Sequence, residues 1–242
     1  MLNQISTLPP DSISKKEARE KTEQYTEEIA VMQDMLFAQR QHSVLVVLQG
    51  MDTSGKSTTV RDVFKEVNPM GIRIKSFKKP TDEEFGHDFL WRVHKHAPEK
   101  GYITVFDRSH YEDVLIQRVH NWIDMDRVHQ RYKHINNFED LLAEENNTLI
   151  LKFYLHISKE NQLEDLKERE TDPTKKWKFN PGDYEERKHW DTYMEAYEAA
   201  FEHCGKKYPW TIVPADKGWY KRYVVAKTVY EAMKTLHLEY PQ

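Results

Sequence analysis

A chain of 242 residues with a single cysteine, Cys204, has no means of building a disulfide framework, and a reducing compartment suits it. The thiol reads as a buried or part-buried bystander. No apolar run approaches the roughly 18 residues of a membrane-spanning helix. Met1 to Asp11 lack the basic-then-apolar order of a secretory signal. Together these absences lead to the expectation of a cytoplasmic protein with no membrane partner. Excess positive charge is missing too: 36 Lys and Arg face 40 Asp and Glu, for a formal net charge of −4. Duplex binding needs a basic footprint, so nucleic acid is not expected as a partner. A local basic channel for a phosphate-rich ligand remains open. The histidines form no pair with metal-ligand spacing, and CxxC and HExxH are both absent. His87, His94 and His96 read as surface or polar-core side chains.

What is present centres on Gly50-Met51-Asp52-Thr53-Ser54-Gly55-Lys56-Ser57, a full match to G-x-x-x-x-G-K-[ST]. It follows the apolar run Val44–Leu48 and precedes a helical stretch from Thr58 to Phe64. A phosphate-binding loop requires that strand–loop–helix context. Gly50 and Gly55 let the backbone curl so that successive N–H groups face phosphate oxygens, and the helix start adds positive dipole there. Lys56 supplies a charge for phosphates, and Ser57 a hydroxyl for Mg²⁺.

Short strands over Val44–Leu48, Ile72–Phe77, Tyr102–Phe106, Thr148–His156 and Trp210–Val213 alternate with helices. Helices are expected over 13–40, Asp82–Lys95, Tyr111–His129 (one helix or a helix pair), Asn136–Glu145, Ser158–Arg169 with Ser158 as N-cap, Tyr184–Cys204 and Trp219–Leu238. Residues 1–12 read as a flexible lead-in. The pattern predicts an α/β fold: a kinase-like phosphate-loop domain spanning 1–242, its parallel five-stranded sheet sandwiched by helices.

Asp107 stands where the third strand runs out, where a carboxylate holds Mg²⁺ in phosphate-loop enzymes. Taken alone, it has a second reading as a helix N-cap. Asp52 is unusual beside phosphates unless a divalent ion lies between, so Asp52 and Asp107 are the candidate metal ligands. Lys75, Lys78 and Lys79 cluster at the end of the second strand, where open α/β sheets receive ligands. Arg108 and Arg118 are expected on the same side. The basic connector 168–183, with Arg169, Lys175 and Lys178 among prolines and aromatics, reads as a lid over the phosphates or as a plain linker.

These segments resemble the polyphosphate kinase 2 family. The likeness lies in Leu48–Asp52 with Gly55-Lys56, Val67-Asn68-Pro69 with Gly71, Ser76–Thr81, His87–Arg92 and Phe106–Leu115. It continues in Glu168-Arg169, Asp172-Pro173, Lys175-x-Trp177-Lys178, and Asp216-Lys217 followed by Arg222. Ser57-Thr58 departs from the Asp-Gly of many members and makes Ser57 a more direct ligand candidate. The resemblance implies phosphoryl transfer between inorganic polyphosphate and nucleoside mono- and diphosphates (AMP and ADP, with GMP and GDP as further acceptors). It implies Mg²⁺ or Mn²⁺ on Asp52 and Asp107, Lys56 and Arg108 on the transferring phosphate, and Arg169 and Lys175 in the lid. Lys78, Lys79 and Arg118 would line the substrate path, and Glu112 would bear on acceptor choice. It also implies a homodimer or homotetramer. An ATP-dependent monophosphate kinase of the thymidylate-kinase type, or a nucleotide-binding switch without turnover, remains the alternative.

Overall fold

The computed structural model describes residues 1–242. At its centre lies β1, Ser43–Gln49, in which every residue is buried. Leucine and β-branched side chains without alternation suit a strand covered on both faces. β2 (Ile72–Ser76), β3 (Ile103–Asp107), β4 (Thr148–His156) and β5 (Trp210–Pro214) complete a sheet of order β2-β3-β1-β4-β5. All four pairings are parallel. The chain leaves β1 toward β2 and then runs back across the sheet. Right-handed crossovers therefore put helices on both faces.

Register positions the site. Leu48 of β1 and Ser76 of β2 both pair with Asp107 of β3, so the three strands end level. The loop after β1, the Phe77–Lys79 segment and Arg108 emerge at one edge of the sheet. That edge is the carboxyl end, where ligands of open α/β sheets bind.

Helix boundaries depart from the sequence reading in several places. α1, Lys15–Gln39, starts at a Ser14 cap that accepts from Glu17 N at 3.2 Å. The 1–12 lead-in is tied down rather than loose: Leu2 is buried, and Thr7 Oγ1 donates to Asp216 Oδ2 at 2.7 Å. The stretch 82–95 forms two single helical turns, Asp82–Phe85 and Trp91–His94, parted at Gly86. Tyr111–His129, open to one helix or a helix pair, is broken into several pieces. A 3₁₀ turn, His110–Val114, meets a short helix, Ile116–Val119. A new helix, Met125–Asn146, then starts at an Asp124 cap and absorbs the element expected at Asn136. The long helix near the C-terminal third is Trp190–Cys204, preceded by the short turns Gly182–Glu186 and Arg187–His189. Ser158 is the N-cap it was read to be, accepting from Asn161 N at 3.1 Å. β2 lies at the sheet edge, and its Ile74 is exposed.

One buried charge stiffens the frame beneath the site. Lys152, in the middle of β4, is fully buried and donates to Glu139 Oε2 at 2.7 Å, Tyr111 Oη at 2.9 Å and the Cys204 carbonyl at 2.6 Å. A buried ammonium with all three protons used is tolerated, whereas one with a partner removed is costly. The network fixes Tyr111 and with it the turn that follows Asp107.

Candidate active site

The loop between β1 and α2 (Lys56–Val63) closes on itself. Gly50 has φ +150°, and a Cβ there would lie 2.8 Å from both the Leu155 carbonyl and Ser54 Oγ. Gly55 has φ +84° and caps α2, a left-handed position that suits glycine. Between them Met51 and Ser54 are buried and Thr53 sits at φ +68°. Lys56 curls back over the loop, donating to the Gly50 carbonyl at 2.8 Å and the Met51 carbonyl at 3.1 Å. Burial pushes its ammonium down to about 8, with the Arg108 charge adding to the effect and Asp52, Asp107 and Glu112 opposing it.

Across from the loop, Asp107 is buried at the end of β3 and accepts from Ser57 Oγ at 2.6 Å. The next residue, Arg108, turns at φ +63°, and its N–H donates to the Leu48 carbonyl at 3.0 Å. Its guanidinium pairs with Asp52 and reaches Glu112 Oε2 at 3.4 Å. Burial disfavours the Asp52 anion, but the Arg108, Lys56 and Arg169 charges outweigh it and hold the carboxyl below its ordinary range. Burial likewise opposes the Arg108 cation, and Glu112 and Asp52 reverse that effect. The two ends of the sheet edge are thus joined by charge before any ligand arrives.

A cavity of about 280 Å³ occupies the space between. Asp52, Gly55, Lys56, Ser57 and Thr58 form one wall, and Lys78, Asp107 and Arg108 the other. Arg169 and Lys178 cover it from the 168–183 connector. No residue of that connector is buried, and its Trp177 is 78% exposed. Arg169 pairs with Asp183 at 3.4 Å. Asp183 is pushed up to about 6 by burial and by the nearby Asp52, with Arg169 pulling the other way. A second cavity of about 280 Å³ adjoins through Phe77, Lys78 and Arg108, and Lys79 and Glu112 line it. That one opens in turn, past Arg92, Asp113 and Trp122, into a groove of about 1050 Å³.

Three expected site residues lie elsewhere. Lys75 lines neither small cavity, and its ammonium sits 5.8 Å from the Phe77 ring centroid. Arg118 turns toward the Met125–Asn146 helix and donates to Tyr132 Oη at 3.4 Å. Lys175 pairs with Glu168 at 2.6 Å, outside the cavity that Arg169 and Lys178 line.

Other residues at the site had no site role in the sequence reading. Buried Arg92 pairs with buried Asp113 at 3.2 Å and donates to the Lys78 carbonyl at 2.8 Å, fixing the backbone that carries Lys78. Burial pushes Asp113 up to about 6, against the pull of Arg92. Asp183 faces the same cations. Lys221, in the closing helix Gly218–Lys234, reaches the phosphate loop itself and donates to the Ser54 carbonyl at 2.6 Å. Only Arg222 beside it carried a sequence signal, and that side chain pairs with Asp62 of α2 at 3.0 Å.

The donor set suits a hard divalent cation. Ser57 Oγ and the carboxylates of Asp107 and Asp52 are oxygen ligands at the edge of one cavity. No group of three His, Cys, Asp or Glu side chains forms a complete protein cage. Mg²⁺ commonly takes one or two carboxylates and fills its remaining positions with water and phosphate, so the residues fit it.

Comparison with known proteins agrees with this architecture. The family model described as Polyphosphate kinase 2 matches residues 12–241. An AMP/ADP-polyphosphate phosphotransferase of Meiothermus ruber is 50% identical over 212 residues, covering 87% of this chain and 79% of the relative. An ADP-polyphosphate phosphotransferase of Rhodopseudomonas palustris is 40% identical over 242 residues, covering 95% and 83%. The crystal structure of polyphosphate kinase 2 from Arthrobacter aurescens TC1 superposes with a TM-score of 0.97 at 40% identity, covering all of this chain and 88% of that one. The sequence motifs, the kinase-like parallel sheet and these matches lead to one assignment: the chain belongs to the polyphosphate kinase 2 family.

Proposed function

We propose that this protein is a phosphotransferase that moves a phosphoryl group between inorganic polyphosphate and nucleotides, with AMP and ADP as acceptors. The observation that carries the reading is the charge of the loop cavity. Lys56, Lys78, Arg108, Arg169 and Lys178 face Asp52 and Asp107, five cations against two carboxylates in about 280 Å³. In a protein of net charge −4, such a local excess suits a polyanion. The two similar proteins named above are polyphosphate phosphotransferases acting on AMP/ADP and on ADP, which supports the same substrates here. The test is direct: AMP and polyphosphate, with no ATP present, give ADP and then ATP.

The chemistry needs little from a base. A phosphate oxygen of AMP or ADP is already anionic, so positioning and charge neutralisation carry the rate. In this reading the loop N–H groups and Lys56 hold the donor chain, and Lys56 exchanges its loop carbonyls for phosphate. Arg108, clamped by Asp52 and Glu112, sits where the two cavities meet and neutralises charge on the group in transit. Arg169 and Lys178 close over it and exclude water, which would otherwise compete as acceptor. Ser57, Asp107 and Asp52 would hold Mg²⁺ or Mn²⁺, whose part is to offset phosphate charge. The acceptor phosphates enter from the Glu112 side, and the large groove beyond has room for a nucleoside. The proposal includes a cytoplasmic homodimer or homotetramer, measurable by sedimentation.

Replacing Arg169, Lys175 and Lys178 together by alanine should lower turnover about 10-fold, short of the roughly 10²–10³ of a rigidly held donor. Melting temperature should hardly move, because the segment contains no buried residue and surface ion pairs contribute little. A collapse in melting temperature with normal specific activity of the folded remainder would make the segment structural.

Glu112 bears on acceptor length. Its carboxylate lines the adjoining cavity beside Arg108, where it repels the extra phosphate of a diphosphate. Glu112→Asn is expected to lower the ratio of kcat/KM for AMP to that for ADP by about 10-fold, a change of about 1.4 kcal/mol. An unchanged ratio places acceptor choice elsewhere in the pocket.

A further inference from the structure

Lys221 is a buried lysine, 6% exposed, without an ion-pair partner. Its ammonium makes one hydrogen bond, to the Ser54 carbonyl at 2.6 Å. The two carboxylates that act on it through space, Asp165 and Asp216, are committed elsewhere. Asp216 accepts from Thr7 Oγ1 and Ser158 N, and Asp165 from Asn161 Nδ2. Burial pushes the Lys221 ammonium down to about 8, and Arg222 and Lys56 add to that. A buried charge normally has a counter-ion close by. Here no carboxylate comes within ion-pair distance, and Asp165 and Asp216 act only through space.

The position explains the need. A Cβ on Gly55 would lie 2.3 Å from Lys221 Nζ and 3.2 Å from its Cε, so the ammonium rests directly against the loop backbone. Gly55 lines the phosphate cavity and Lys221 does not. The loop therefore lies between the cavity and this cation. Pulling the Ser54 carbonyl toward Lys221 leaves the peptide N–H groups of the turn free for the cavity side, as an anion-binding nest requires.

We propose that Lys221 is a positioning residue of the phosphate site: it anchors the Ser54 carbonyl behind the loop, and its buried charge is balanced by phosphate bound in front. The inference rests on reading this loop as the donor's binding site. The second glycine of the loop then has a role beyond its φ angle, since it leaves space for an ammonium that comes from 167 positions beyond Ser54 in the chain.

The experiment uses inorganic tripolyphosphate with the purified full-length protein, Lys221→Met and Lys221→Gln. Dissociation constants come from titration calorimetry, and KM values for polyphosphate and AMP from steady-state rates. Lys221→Met should weaken tripolyphosphate binding at least about 10-fold and raise the polyphosphate KM in step, with the AMP KM changed by less than about 2-fold. Lys221→Gln keeps a donor for the carbonyl without the charge, and should fall between parent and Lys221→Met. Melting curves separate packing from binding. Variants that melt earlier but bind tripolyphosphate as the parent does would reduce Lys221 to a packing role. Should Lys221→Met fail to fold, parent-like affinity in Lys221→Gln overturns the charge argument by itself. A parent that binds no tripolyphosphate overturns the site reading, and the role of Lys221 with it. Normal parent binding with normal variants overturns the Lys221 inference alone.

Discussion

Lys56→Ala is expected to lower turnover by at least ~10²–10³-fold, the scale of losing a fixed electrostatic partner of the transition state. The side chain starts α2 at the wall of the phosphate cavity, and its nitrogen has no carboxylate partner in the resting protein. It is held by the carbonyls of Gly50 and Met51 and, at 3.5 Å, by Ser54 Oγ, all neutral acceptors that phosphate oxygens replace at little cost. The variant should still fold. Leaving two carbonyls short of a donor costs roughly 1–3 kcal/mol. For a chain of this size that is a fall of several degrees in melting temperature. Tripolyphosphate affinity, turnover and melting temperature measured together make the prediction specific. Near-normal turnover removes Lys56 from the site.

Chelation should abolish transfer, and Asp107→Asn should come close to doing so, with a loss of at least ~10²-fold. Asp107 is buried at the end of β3 and accepts a hydrogen bond from Ser57 Oγ at 2.6 Å. That pair of oxygens is available to a hard cation once polyphosphate brings further ligands. Asp52→Asn is expected to be impaired for a second reason. It also releases one side of Arg108, leaving the guanidinium to Glu112 alone. The two variants therefore differ in a measurable way. Raising Mg²⁺ or Mn²⁺ should recover part of the Asp107→Asn activity and less of the Asp52→Asn activity. Full activity of the parent in excess chelator contradicts the metal assignment, and equal recovery of the two variants contradicts the separate role of Asp52.

Those residues were legible because their chemistry is local. A phosphate loop writes its function into eight consecutive residues, and Asp107 is marked by the end of an apolar strand. Parallel order then brings both to one edge whatever the details of the crossovers, as the shared register at Leu48, Ser76 and Asp107 shows. Arg118 illustrates what was not legible. Its expected place beside Arg108 depends on the path of the chain between them, which makes a 3₁₀ turn and then a break at Leu115. With 3.0 residues per turn in the 3₁₀ part, the phase is lost and Arg118 faces Tyr132. Lys75 failed for a simpler reason. It lies inside β2, one residue before Ser76, where the cavity lining starts, and its ammonium lies 5.8 Å from the Phe77 ring centroid instead. Lys221 and Asp183 were invisible because each is an ordinary charge within a charged segment. Only tertiary contact sets them apart, Lys221 through its burial against Gly55 and Asp183 through Arg169. The helix boundaries around Asp124 and Trp190 were missed where short turns interrupt an amphipathic pattern that continues across them.

The central claim concerns the donor, since a kinase of the thymidylate-kinase type has the same loop and strand-end aspartate but takes its phosphoryl group from ATP. The most direct measurement compares kcat/KM for polyphosphate and for ATP as donors to AMP, with one preparation in the presence of Mg²⁺. The account predicts that polyphosphate is preferred by at least about 10-fold, and that polyphosphate is consumed one phosphate unit for each ADP formed. Rapid ADP formation from ATP with none from polyphosphate would contradict it.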